Sequence, residues 1–244
     1  MYYDQTSFDI RCEWGMKGVR YVGAFAEAII LVDVLSFSTC GDIAVSRGAA
    51  IYPCKWKDAR ASRYAAKVKA QLAGHRGAVD QFSFSPKSLV DVEEGMKIVL
   101  PSPNGSELSL QASSLRKAVF TSCFRNCGAV TNHVRERYRS IAVIPCGERW
   151  PGGSLRPAAE DWIAAGAIIS AFDGSLSPEA SAALAAYTSV QTTLTTVIES
   201  SVSGRELIER GFAEDVALAC EFCISSAVPT LRDGAYDARD SRIG

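Results

Sequence analysis

Five short apolar runs recur along the first two thirds of the chain, each trailed by a stretch with helical character. They are AIILVDVL (28–35), AAIYPC (49–54), MKIVLP (96–101), KAVFTSC (117–123) and SIAVIPCG (140–147). The runs are apolar almost throughout rather than at every second residue, as a strand covered on both faces requires. The stretches between them, near 38–48, 57–74, 105–115, 124–138 and 157–172, predict helices, with Gly74 as the stop of the Ala-, Lys- and Arg-rich second one. Parallel strands need such helical crossovers, so the fold class expected is α/β, a three-layer α/β/α sandwich with a mainly parallel or mixed central sheet. After Phe172 the alternation stops, and 178–200, 204–211 and 213–225 all read as helix, giving a helix-rich C-terminal third. Neither a linker nor an internal repeat divides residues 1–244, which read as one domain with a polar, frayed tail from about Asp233.

Composition narrows the partners. The chain of 244 residues carries a formal charge of −1, with acids and bases interspersed, so no basic face draws it to nucleic acid or to anionic lipid. An anionic ligand therefore needs a local site. The N-terminus lacks the basic-then-apolar order of a signal peptide, and the longest strictly apolar run, Ala28 to Val32, is far too short to span a bilayer; a cytoplasmic protein off the membrane is expected. With no export signal the eight cysteines are expected as reduced thiols. The spacing of Cys123, Cys127, Cys220 and Cys223 admits a four-thiolate zinc site, against the plainer reading of small buried hydrophobes. His75 and His133, the only histidines, fit no Ser-His-Asp order. The oligomeric state, a homo-oligomer included, stays open.

Ligands of such sheets bind at the carboxyl ends of the strands. Those ends carry Asp33, Ser36 and Ser38 after the first run, Ser102-Pro103-Asn104-Gly105-Ser106 after the third, Asn126 after the fourth, and Glu148 and Arg149 after the fifth. A carboxylate inside an apolar strand, as at Asp33, costs several kcal/mol unless it is bonded, paired or metal-bound; capping of the next helix is the alternative. Ser36 and Ser38 stand where a helix start offers free N–H groups to phosphate, though serine is also a good cap. Asn-Gly in the 102–106 turn allows an anion-facing bend. Glu160 and Asp161 fall in a first helical turn, where acids commonly only offset the dipole; being adjacent, one of the two is expected to face the site. Phosphate-binding glycine motifs of nucleotide enzymes do not occur.

Taken in order, VDVLSFSTC (32–40), SPNGS (102–106), SCFRNCGAV (122–130), IPCGE (144–148), AAEDWIAAGA (158–167) and GFAEDVALACEF (211–222) resemble the signature segments of the 2-phosphosulfolactate phosphatase (ComB-like) family over roughly residues 25–232. The resemblance implies a magnesium-dependent phosphatase of coenzyme M biosynthesis that acts on a small anionic phosphoester. Carried over, Asp33 and Glu148 are catalytic, and Asp33, Glu148, Glu160 and Asp161 supply the Mg2+ ligands. Ser36, Ser38, Asn104, Gly105, Ser106 and Asn126 bind substrate. The chain departs from the pattern in three places. Ser36 replaces the usual arginine, Gly74-His75-Arg76-Gly77 replaces a Gly-Glu-Arg pattern, and Asp80 to Phe84 lack the usual Asp and Asn. The loss of a guanidinium fork at Ser36 leaves two expectations. Either another base (Arg76, Arg125 or Arg149) takes its place, or the chain is a catalytically impaired or diverged member that binds a small anion or acts on another phosphoester.

Overall fold

A computed structural model describes residues 2–78 and 82–238; Asp80 and Gln81, two of the expected departures, lie outside the described residues. The strands are β1 (Ile10–Cys12), β2 (Ala28–Val32), β3 (Ala50–Cys54), β4 (Gln71–Leu72), β5 (Lys97–Pro101), β6 (Ala118–Ser122), β7 (Ile141–Pro145), β8 (Glu148–Arg149), β9 (Leu155–Arg156), β10 (Thr230–Arg232) and β11 (Ala235–Asp237). The helices are α1 (Gly15–Tyr21), α2 (Phe37–Ser46), α3 (Ala59–Val68), α4 (Gly105–Ser113), α5 (Cys127–Arg135), α6 (Ala159–Ile169), α7 (Pro178–Val190), α8 (Leu194–Ser200), α9 (Val202–Glu209) and α10 (Ala213–Cys220).

Nine strands form one mixed sheet in the order β1-β7-β2-β6-β10-β11-β3-β5-β4, flanked by helices on both faces as the three-layer α/β/α expectation requires. Strand β2 lies at the centre of one parallel set, its residues Ala28 to Val32 paired with Ala118 to Ser122 on one side and Ile141 to Pro145 on the other. The carboxyl ends of β2, β6 and β7 are therefore level. Along β2 the side chains alternate between two cores. Ala28, Ile30 and Val32 pack with α5, α6, α7 and the C-terminal helices. Ile29 and Leu31 pack with α1, α2 and α4. Both faces of the strand are dry, which is why its sequence is apolar without alternation.

The hairpin β10–β11 joins this set to a second one, β3-β5-β4, through antiparallel pairings. In a flat sheet those reversals would send the carboxyl end of β5 away from that of β2. The inner residues Ile51, Ile98 and Leu100 nonetheless share one core with Ile29, Leu31, Leu108 of α4 and Phe37 of α2. The two sets thus fold about α2 and α4, and the turns after β2 and β5 meet.

Two elements differ from the sequence reading. The polar stretch from Asp233 is not frayed through residue 238: Asp233 and Gly234 take φ of 48° and 83°, the paired positive values of a two-residue hairpin turn, and Tyr236 behind them is fully buried with its hydroxyl 2.8 Å from Ser109 Oγ. The helix expected over 57–74 ends at Val68, because Lys69 turns left-handed (φ 54°) and Gln71–Leu72 pair with β5. Among the described residues no helix is long and apolar enough to cross a membrane.

Candidate active site

Four carboxylates gather where the turns after β2, β5 and β7 meet the start of α6. Asp33, 5% exposed, accepts from Phe37 N at 3.1 Å with one oxygen and from Gly105 N at 2.9 Å with the other. Those N–H groups open α2 and α4, so one carboxylate satisfies orphan donors of two helices. The capping role and the buried-carboxylate role expected as alternatives for Asp33 coexist. The approach needs glycine at 105, since a Cβ there would lie 2.5 Å from the Phe37 side chain. Asp161 ties two turns together on the other side: Val34 N donates to Oδ1 and Gly147 N to Oδ2, both at 2.8 Å.

Glu148 and Glu160 are held more loosely. Glu148 is half-buried and accepts from Asn104 Nδ2 at 2.9 Å. Glu160 is 2% exposed, and its Oε2 has no hydrogen-bond partner among the described residues. Both acids of the Glu160-Asp161 pair thus join the cluster, rather than one alone. Burial and then the charge of Glu148 raise the Asp33 carboxyl from the usual 3.8 to about 7, against the pull of its two N–H bonds. Burial and the charges of Asp33 and Glu160 push Asp161 well up. Burial, with Glu160 beside it, pushes Glu148 up.

A cleft of about 920 Å3 opens beside the cluster, walled by Lys57, Arg76, Arg149, Arg156 and Arg210, with Glu148 reaching into it. Asp58 and Glu206 also line it, so with Glu148 five bases face three acids and the lining is net positive on a chain of net charge −1. Arg76, Arg149 and Arg210 are paired with Asp215, Glu107 and Glu206. A second cavity of about 900 Å3, with Trp14, Met16, Tyr21, Leu108 and Leu155, meets the same cluster at Asn104 and Glu148. Of the four carboxylates, Glu148 alone lines both cavities.

Ser36 is fully buried beneath the cationic cleft, and Arg76 donates to its Oγ at 2.7 Å. Of the three bases named as replacements for the arginine missing at 36, Arg76 is the one at that position. It is paired with Asp215, lies over the rings of Phe84 and Phe212 at 5.6 and 5.5 Å, and is steadied because Asp215 also accepts from Ser85 Oγ at 2.6 Å and Lys87 N at 3.1 Å. Asp215, readable from sequence only as a first-turn acid, is the anchor of that arrangement. Arg149 spans the rim, donating to Glu107 at 2.5 Å and to Pro103 O at 2.8 Å.

Three residues expected to bind substrate are spent on the scaffold instead. Ser38 Oγ accepts from Asp33 N at 2.8 Å and pairs with Thr121 Oγ1 at 2.6 Å. Ser106 Oγ donates to Leu100 O at 2.7 Å. Asn126, fully buried, accepts from Cys123 N at 2.9 Å and Ser122 Oγ at 3.2 Å and donates to Ala227 O at 3.3 Å. Each side chain satisfies a buried backbone group, which leaves it turned inward. Arg125 is neither solvated nor at the site: its Nε donates to Asp42 at 2.7 Å and it pairs with Glu221. The cysteines do not assemble a thiolate site either; Cys127 and Cys223 meet, and among the described residues no three His, Cys, Asp or Glu side chains converge as metal ligands. Lys57, Arg156 and Arg210 gave no local sequence signal, because bases far apart in the chain face one cleft only once it is folded.

A buried acidic cluster at strand ends, beside a cleft in which bases outnumber acids, suits an enzyme acting on a small anion on an α/β/α scaffold, and the relatives make that class a phosphoric monoester hydrolase. Comparison with known proteins agrees and sharpens the class. The chain belongs to the 2-phosphosulpholactate phosphatase family, whose model matches residues 19–234. It is 28% identical to a 2-phosphosulfolactate phosphatase of Methanothermobacter thermautotrophicus over 85% of this chain and 88% of that protein. It is 27% identical to a probable 2-phosphosulfolactate phosphatase of Carboxydothermus hydrogenoformans, covering 89% and 92% of the two chains. A probable 2-phosphosulfolactate phosphatase of Gloeobacter violaceus is 26% identical over 64% of this chain and 66% of its own length.

Proposed function

We propose that the protein hydrolyses a small anionic phosphomonoester, with 2-phosphosulfolactate as the first candidate, in a magnesium-dependent reaction that releases phosphate and the alcohol. The observation that carries this reading is Glu148, the half-buried member of the acidic cluster, which projects into a cleft where five bases outnumber three acids. Water adds to phosphorus, the bridging P–O bond breaks, and the alcohol leaves with a proton. Such transition states spread negative charge over the phosphoryl oxygens, so fixed cations around the cleft are the main source of stabilisation. Glu148, with its affinity for a proton raised, is suited to take the proton of water or return it to the alcohol. Asp33 has both oxygens bonded to N–H groups and lines neither cavity, so its part is to hold the two helix starts and the field of the site.

Of the four expected ligands, Asp33 and Asp161 give both oxygens to backbone N–H groups, so magnesium would rest on Glu148 and Glu160 alone. The ion favours oxygen ligands, keeps several waters and takes one or two carboxylates together with substrate phosphate oxygens, so it needs no closed protein cage. Glu160 offers an unpartnered buried oxygen, and the repulsion among Asp33, Glu148, Glu160 and Asp161 is what a dication relieves. Glu148 and Glu160 are the first candidates to hold the ion, which when bound supplies charge neutralisation at the phosphate oxygens.

The test is phosphate release from 2-phosphosulfolactate and a panel of small phosphomonoesters, by chelator-treated protein with and without added magnesium. Release from 2-phosphosulfolactate that depends on magnesium and is lost in Glu148→Gln supports the assignment. A folded protein that releases no phosphate from any ester in the panel overturns it. Arg76 favours a second reading, a diverged member that binds an anion without turnover, because Asp215 already neutralises the guanidinium standing in for the missing arginine. Under that reading sulfolactate and phosphate bind, and no ester is cleaved.

A further inference from the structure

Away from the cleft, Cys127 and Cys223 place their sulfurs 3.2 Å apart. A disulfide bond is about 2.0 Å long, so closure asks for a movement of roughly 1.2 Å. The two thiols differ in access. Cys127, the first residue of α5, is 3% exposed, whereas Cys223, three residues past α10, is exposed to solvent. The other six of the eight cysteines are buried.

Several features hold Cys223 in place without tying up its sulfur elsewhere. Its backbone takes φ of 51°, a left-handed value uncommon for a residue with a side chain. Cys223 N donates to Phe124 O and Ser225 N to Arg125 O, both at 3.0 Å, so the segment is stitched to the turn that opens α5. The neighbouring Phe222 ring stacks on Tyr187 at 6.0 Å. A Cβ at Gly128 would only just touch Cys223 Sγ, at 3.4 Å, so the sulfur lies close against the first turn of α5.

We propose that Cys127 and Cys223 are a modification site, forming a reversible disulfide by exchange with a low-molecular-weight disulfide such as oxidised glutathione. In the first step the exposed Cys223 thiolate attacks one sulfur of oxidised glutathione; a mixed disulfide forms and one glutathione thiolate leaves. In the second, the Cys127 sulfur attacks the Cys223 sulfur, expels the second glutathione thiolate and gives up its proton to it. Two protein thiols are oxidised and one glutathione disulfide is reduced to two thiols. Burial and the neighbouring Cys223 push the Cys127 thiol up, so the second step is the slower one and quickens as pH rises. The product ties residue 223 to the start of α5, at the end of the helix that carries Asp215. This site is independent of the reaction proposed above.

The experiment exposes the reduced, native full chain to a series of oxidised-to-reduced glutathione ratios, quenches by alkylation, and counts thiols by mass after denaturation. The expected result is loss of two of the eight thiols, a 127–223 linked peptide in the digest, and return of both thiols with dithiothreitol. Cys127→Ser, or Cys127→Ala if the first variant folds poorly, should stop at a single glutathione on residue 223. The proposal is overturned if the wild-type protein, native by circular dichroism, stops at that mixed disulfide, forms a Cys223-linked dimer, or loses no thiol.

Discussion

The turn after β2 and the turn after β6 begin alike and end differently. Their strands are parallel neighbours in register, Val32 level with Ser122, and each turn opens a helix. After β2, Asp33 enters a group of like charges that burial makes costly, and among the described residues no cation pairs with it. After β6, Arg125 is closed in by Asp42 and Glu221, and Asn126 by Cys123, Ser122 and Ala227. The segment 218–227 lies against that second turn and completes its bonding. Position at a strand end is thus not enough to make a site. The turn after β2 carries the charge that burial leaves unbalanced, next to Glu148 and its cleft; the turn after β6 is a balanced joint of the scaffold.

Breaking the first turn's cluster should cost activity rather than stability. Glu148→Gln should lower kcat by roughly 10^2- to 10^4-fold, the usual worth of a positioned acid or base. Its Tm should hold or rise, because one like charge leaves the cluster. A variant that turns over at the wild-type rate would remove Glu148 from the chemistry. Breaking the second turn should do the reverse. Arg125→Ala leaves Asp42, fully buried, without its counter-ion, and removal of one partner of a buried pair costs about 3–5 kcal/mol. Denaturant unfolding should register that loss while KM of the folded fraction stays put. A raised KM at unchanged stability would move Arg125 into the site.

The same contrast explains what could be read before the structure. The strands were legible because β2 and β7 are dry on both faces, and continuous apolar runs record that directly. That Asp33, Asn104, Gly105, Glu148, Glu160 and Asp161 converge was legible because each sits at a strand end or helix start, which parallel strands bring to one end. Ser38, Ser106 and Asn126 occupy such positions too, yet a polar residue at a strand end has the same signature whether it faces a ligand or a buried backbone group. Which of the two holds depends on distant segments, such as Thr121 for Ser38 and Ala227 for Asn126. The hairpin β10–β11 was hidden by its polar flanks, although Asp233-Gly234 carried the turn signal.

A swap at Ser36 probes the cationic side of the site with a smaller effect. The single variant Ser36→Arg places a second guanidinium in a fully buried position already touched by Arg76. A charged hydrogen bond is worth about 1.5–3 kcal/mol, so displacing Arg76 should lower kcat/KM by roughly 10- to 100-fold. The double variant Ser36→Arg with Arg76→Ser keeps one guanidinium and its Asp215 partner, and should recover most of that loss. A single variant more active than wild type would mean that Arg76 does not occupy the anion position.

The smallest effect expected is a slope in stability with pH, and its sign follows from the cluster. Asp33 ordinarily titrates near 3.8 and does so near 7 in the folded chain. Between those values the folded protein holds a proton that the unfolded chain has released, so stability is fully present below about pH 4 and is lost as pH rises through 7. Glu148 and Asp161 are shifted in the same direction and add to the loss. Asp4 and Asp58, held near 2 by their hydrogen bonds, act with the opposite sign but only below the ordinary carboxylate range, so they do not mask it. Without divalent cation, Tm should therefore fall between pH 5 and pH 8. Magnesium should flatten the slope by favouring the charged carboxylates, and chelator should restore it. Glu148→Gln should shrink the slope in the absence of metal, because the charge that most raises Asp33 is gone. A chelated protein whose Tm climbs steadily from pH 5 to pH 8 would mean that the four carboxylates do not repel one another in solution, and the turn after β2 would then be as balanced as the turn after β6.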